Sequence, residues 1–130
     1  MTGPSPAPPG YDSTEQRNWA VLTHALAAVG IFFGGLLGWV APLVTLLSKG
    51  DTSPKLRAHA VSALNFNLTW AIIDLIAVII AGCAGFVHLW PLPWLLRLIP
   101  VVPFVFNIIA LVKANNGECY RHPLSYPLVK

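Results

Sequence analysis

The stretch AHAVSALNFNLTWAIIDLIAVIIAGCAGFVHLWPLPWLL, residues 58–96, decides how this chain is to be read. It runs for 39 residues with a single charged side chain, Asp74. A helix needs about 20 mainly apolar residues to cross a bilayer, and this stretch has room for one with length to spare. A carboxylate near the centre of such a helix costs about 2.5–3.5 kcal/mol unless it is paired, neutralised or solvated. Asp74 therefore marks a polar joint or a polar function inside a membrane.

The rest of the chain has the same character. Of 130 residues, 55% are hydrophobic and 10% charged, with a mean hydropathy of +0.65. Soluble domains carry roughly 25% charged residues. Trp19 to Ser48, Leu75 to Leu96 and Leu98 to Val112 contain no Asp, Glu, Lys or Arg. These runs define an all-α, polytopic integral membrane bundle. The first run is longer than the roughly 7–15 residues of a signal-peptide core and is followed by no small-residue cleavage site, so it is read as membrane domain. The net charge of +3 belongs to topology and suggests no nucleic acid.

Three regions follow: residues 1–13, a Pro-rich tail expected to be disordered; 14–116, the transmembrane domain; and 117–130, a cytoplasmic C-terminal tail. Ser13 to Gln16 reads as an S-x-x-Q capping box opening a helix near Thr14. As one helix, Trp19 to Ser48 would be roughly 45 Å long, and Gly34, Gly35, Gly38 and Pro42 supply a break. Two arrangements are open: one kinked span, or a hairpin whose second helix covers about Leu36 to Ser48, giving three spans or four helices. The single span puts six basic side chains inside and Arg17 and Arg97 outside. The hairpin moves Arg17 inside, seven against one, and is preferred by the positive-inside rule. The next helix is expected from about Lys55 to Gly85. The last runs from near Pro93 to Lys113–Asn116, kinked at Pro100 and Pro103 and closed by Gly117 as the C′ residue. Cys83 and Cys119 then face opposite sides and form no disulfide.

The residues Glu15-Gln16-Arg17-Asn18-Trp19-Ala20-Val21-Leu22-Thr23-His24 resemble the E-R-x-W-A-x-L-x-H opening of the domain of unknown function 4870 family of small bacterial membrane proteins. His59 to Asn67 is similar to its E-A-L-N-F-Q element, and Lys113 to Leu124 to its K-A-N-x-G-E-x-Y-R-x-P-L close. Gln16, Asn67 and Cys119 depart from the pattern. Through residues 57–74 that family is also distantly similar to the twenty-kilodalton Tic component of chloroplast protein import. The resemblance implies a polytopic helical fold in a bacterial inner membrane, and carries no activity to any residue.

Equal depth on antiparallel helices, each roughly 24 Å from the inner end, makes Asp74 and Arg97 candidate neighbours. A relay needs more than one carboxylate along its path, so a buried pair setting helix register is the preferred reading. The same count matches Asn65 with Asn107 as an interhelical amide contact. His24 and His59 both fall toward the inner face in the hairpin. They could hold haem or a metal, but an interfacial hydrogen-bonded pair is preferred. Gly34 with Gly38, and Ala77, Ala81 and Gly85, put small side chains on single faces for close helix packing. No P-loop, dinucleotide fingerprint, nucleophile elbow or zinc motif occurs.

The functional expectation is thus a non-enzymatic protein of a bacterial inner membrane, multi-pass with a cytoplasmic C-terminus. It needs no cofactor and has the lipid bilayer, a second copy or another membrane protein as partner. The alternatives are a minimal channel, transporter or translocation accessory with Asp74 in a polar path, and a haem- or metal-binding intramembrane enzyme using His24 and His59.

Overall fold

The computed structural model describes residues 8–33, 35–88 and 90–130. Gly34, one of the expected packing glycines, and residues 1–7 of the N-terminal tail lie outside the described residues. Helices α1 (Thr14–Ile31), α2 (Val40–Lys49), α3 (Pro54–Phe86), α4 (Leu92–Leu96) and α5 (Val101–Asn115) make up the fold, with no strand among the described residues. Of these, α3 and the run Leu92–Asn115 are long and apolar enough to cross a membrane.

Several boundaries have a local cause. Ser13 accepts a hydrogen bond from Gln16 N, and the Gln16 side chain reaches back to Asp12 N at 3.0 Å, so the capping box closes one residue earlier than its usual form. Ser53 caps α3 by accepting from Leu56 N, with Pro54 in the first turn. The apolar run 19–48 folds as the hairpin: α1 ends at Ile31, and the chain turns through Gly35 at φ +82° into α2. Gly30 makes the turn tight, since a Cβ there would fall 2.5 Å from Leu37 O. Pro100 and Pro103 break the last span where a kink was expected. Pro100 is the N-cap of α5 and Pro103 sits in its first turn, where a missing N–H costs nothing. At the other end Glu118 N bonds Lys113 O and Gly117 N bonds Ala114 O, with Gly117 at φ +88°. This is a Schellman motif, in which a residue without Cβ is favoured.

The interior is small and polar, and the exterior is large and apolar. α1 buries Ala20, Thr23, His24, Ala27, Ala28 and Ile31, one helical face, while Leu22, Leu26, Val29 and Phe32 are exposed. The far half of α3 exposes Ile72, Ile73, Ile76, Val78, Ile79 and Ile80. A water-soluble protein rarely shows apolar patches of that extent, whereas lipid covers them. Helix α1 packs on α5, α2 and α3, and α4 touches α3 alone among the helices.

The charged ends of α1, α2, α3 and α5 meet at one end of this bundle. Lys49 pairs with Glu15, Lys55 with Asp12, and Lys113 with Glu118, each at 3.0 Å. The described part of the N-terminal tail belongs to this cap, which corrects the expectation of disorder through residue 13. Tyr11 is buried against Ala20, Leu56 and Ala114, and its hydroxyl donates to Ala114 O. Tyr11, the Asp12–Lys55 pair and the close packing of Gly10 on Gly117 together hold this segment.

Candidate functional site

Two polar regions lie inside the bundle. The first is a cluster of rings near the charged cap. His24 Nε2 lies 3.3 Å from His59 Nδ1, and His59 Nε2 lies 3.4 Å from the Tyr11 hydroxyl. His122 joins them from the C-terminal tail, its ring centroid 5.7 Å from that of His24 and stacked on Phe66 at 4.5 Å. Ser62 Oγ bonds His122 Nδ1 at 3.0 Å. His24 Nδ1 and His122 Nε2 are buried without a partner among the described residues. Burial, and then repulsion from His59, hold His122 down at about 4. Burial likewise raises the Tyr11 phenol above its ordinary value. The cluster is held together by ring stacking and hydrogen bonds; among the described residues no three His, Cys, Asp or Glu side chains are grouped as metal ligands.

The tail that delivers His122, residues 117–130, packs back on the bundle. It climbs α3 and returns: Ser62 bonds Tyr120 O, Thr69 accepts from Tyr126 N, and Arg57 donates to Lys130 O. Asn65 donates to Val129 O at 2.8 Å and accepts from Val129 N at 2.6 Å. One amide thus satisfies both backbone groups of Val129 in an irregular segment lying against a membrane helix, where uncovered polar backbone is costly. Asn65 is therefore not the partner of Asn107. That partner is Asn67, two residues on and on the opposite side of α3. The spacing Ala60, Ala63, Asn67, Asp74 puts Asn67 on the helix's buried face, a periodicity that could have singled it out. No local signal could have placed His122.

The second region surrounds Asp74, only 3% exposed. Its Oδ2 is buried and unpartnered among the described residues. Gly35 in the α1–α2 turn lies against it, where a Cβ would fall 2.5 Å from Oδ2. Asp74 and Arg97 line one cavity of about 790 Å³ with Phe32, Ala77, Pro100 and Phe104, yet no salt bridge joins them. Arg97 instead lies over the Trp94 ring at 5.9 Å. Of the expected packing residues, Ala77 is buried and Ala81 half-buried on the cavity face, and Gly38 approaches Asn67 and Ala27 closely. Gly85 faces open space.

A bundle that turns apolar side chains outward, keeps small and polar ones inside and gathers its charges at one end is a helical membrane protein. Residues 15–129 match the magnetosome magnetite crystal formation protein family (MamF/MmsF), and the chain belongs to that family. This overturns the resemblance to the domain of unknown function 4870 and its Tic relative. No curated protein and no solved structure matches the chain.

Proposed function

We propose that this chain takes part in magnetite crystal formation without catalysing a reaction, as a multi-pass unit of the magnetosome membrane working through self-association or another membrane protein. Its charged cap, with both described chain ends, faces the cytoplasm. Membership in the family supports the process. The observation that carries the orientation is the segregation of charge: every Lys and Arg except Arg97 lies at the capped end, the chemistry retained on the cytoplasmic side. Asp12, Glu15, Asp51 and Glu118 share that end, so the opposite end offers the mineral no carboxylate but the buried Asp74 among the described residues.

Magnetosomes isolated intact expose their cytoplasmic face. In a background lacking Cys83 and Cys119, a cysteine at Thr52 should react with a membrane-impermeant thiol reagent and one at His88 should not until detergent is added. The reverse pattern would put four carboxylates against the crystal and defeat the proposal. Deleting the gene should change crystal size or shape in electron micrographs, and cross-linking in the membrane should trap a second copy or a partner.

A second reading, a minimal channel, is supported by Asp74 facing a cavity. Proton or ion flux in liposomes carrying the purified protein, lost in Asp74→Asn, would favour it.

A further inference from the structure

Beyond Asp74, helix α3 continues for twelve residues, Leu75–Phe86, about 18 Å. A Cβ on Gly35 would touch both Asp74 and Pro100. The α1–α2 turn, Asp74 and the head of α5 therefore meet at one level, and α1, α2 and α5 run from there to the charged cap. The far part of α3 is an overhang, accompanied by α4, which touches no other helix.

One face of the overhang is built of small residues. Asp74, Val78, Ala81 and Gly85 follow one another at helical spacing, with Gly82 beside them. A Cβ at Gly82 or at Gly85 would meet nothing within 4 Å. Packing inside the chain thus asks for neither glycine, and each weakens a helix relative to alanine. In a bilayer, small residues on one face let a second helix approach closely, which acyl chains do not need.

Asp74 adds an independent observation at the same face. It is 3% exposed, lines the 790 Å³ cavity together with Ala81 and Gly82, and leaves Oδ2 without a partner among the described residues. A carboxylate left uncompensated in apolar surroundings is costly. Arg97 lines that cavity too, is exposed, and forms no salt bridge among the described residues.

Taking self-association as the mode of action proposed above, we propose that this face is where two copies of the chain meet. The α3 helices cross over Ala81, Gly82 and Gly85, and the second copy's Arg97 reaches Asp74 in the notch. A two-fold interface puts residue i of one copy on residue j of the other, and j on i. A face with one free acid and one free base is therefore its own complement, and the two ion pairs form reciprocally.

The test counts subunits of the full chain in liposomes at low protein-to-lipid ratio, by single-molecule photobleaching. The wild type should be dimeric. Gly82→Leu and Gly85→Leu should weaken the dimer tenfold or more while unfolding like the wild type in detergent, because both positions face open space. Asp74→Asn and Arg97→Gln should each weaken it about tenfold, the worth of one interhelical polar contact, and together by less than the product of the two. Should Asp74→Asn fail to fold, the glycine variants and Arg97→Gln still decide. In a background lacking Cys83 and Cys119, Gly85→Cys should form a disulfide-linked dimer under mild oxidation, and Ile79→Cys, exposed on another side of α3, should not. A dimer that tolerates both leucines overturns this interface and leaves self-association standing. A wild-type chain that stays monomeric, its notch filled by acyl chains, overturns both.

Discussion

Asn67 of α3 and Asn107 of α5 hold each other through a reciprocal pair of side-chain hydrogen bonds. Asn107 Nδ2 donates to Asn67 Oδ1 at 2.8 Å, and Asn67 Nδ2 donates to Asn107 Oδ1 at 3.2 Å. Each amide gives its second N–H to the carbonyl one turn back, Ala63 O and Pro103 O. All four N–H groups are thereby satisfied at positions almost without solvent, and the two long helical runs are locked in one register. Alanine at either position should lower stability by about 1–2 kcal/mol, since it strands the other amide. A double-mutant cycle in detergent should return a coupling of about 0.6–1.7 kcal/mol. Simple additivity would show that the contact contributes nothing.

Gly117 and Gly10 pack against each other with left-handed backbones, at φ +88° and +84°. A Cβ on Gly117 would strain its own backbone and collide with the Pro9 carbonyl. Gly117→Ala should therefore cost about 1 kcal/mol or more and lift Tyr11 off Ala114. The accompanying readout is faster hydrogen exchange at the N-terminus of α1, with the far end of α3 unchanged.

Stability should fall with acid through His122. Its ring is held near 4 in the folded protein by burial and by His59, against about 6.5 in an unfolded chain. The unfolded state then takes up a proton first as pH drops. Stability is intact above about pH 6.5 and is lost progressively between there and pH 4, by up to about 3 kcal/mol. Unfolding in detergent, followed across that window, should show a shallower loss in His122→Gln. An unchanged slope would mean that this ring is solvated.

Asn65→Leu should release the tail without unfolding the bundle. The leucine removes both hydrogen bonds to Val129 and leaves the Asn67–Asn107 pair untouched. Hydrogen exchange should quicken at Val129 and Tyr126 while α5 keeps its protection. Equal protection in both proteins would show that other contacts hold the tail.

Much of the fold was legible because it rests on local chemistry. Ser13, Ser53 with Pro54, and Gly117 each mark a helix end through a hydrogen bond within a few residues, and each element boundary near them falls where such a residue requires it. The hairpin was legible through charge, since Arg17 is better placed with the other basic residues. What failed was pairing. Asn65 and Asn67 are equivalent by depth, and only the rotation of α3 against α5 decides which amide meets Asn107. Asp74 and Arg97 were matched by the same count, and they share a cavity without an ion pair because Arg97 lies over Trp94 beyond the break before α5.

By itself, the sequence determined that this chain is a helical membrane protein, where α1 and α3 begin and α5 ends, and that its charges gather on one side. Those properties follow from solvation and from hydrogen bonds that close within a turn or two of helix. The tertiary structure alone decided that His122 returns to meet His24, that Asn65 holds the tail and that Asp74 faces a cavity. Each of these depends on residues brought together from distant parts of the chain, where packing geometry selects among partners that composition and spacing leave equivalent.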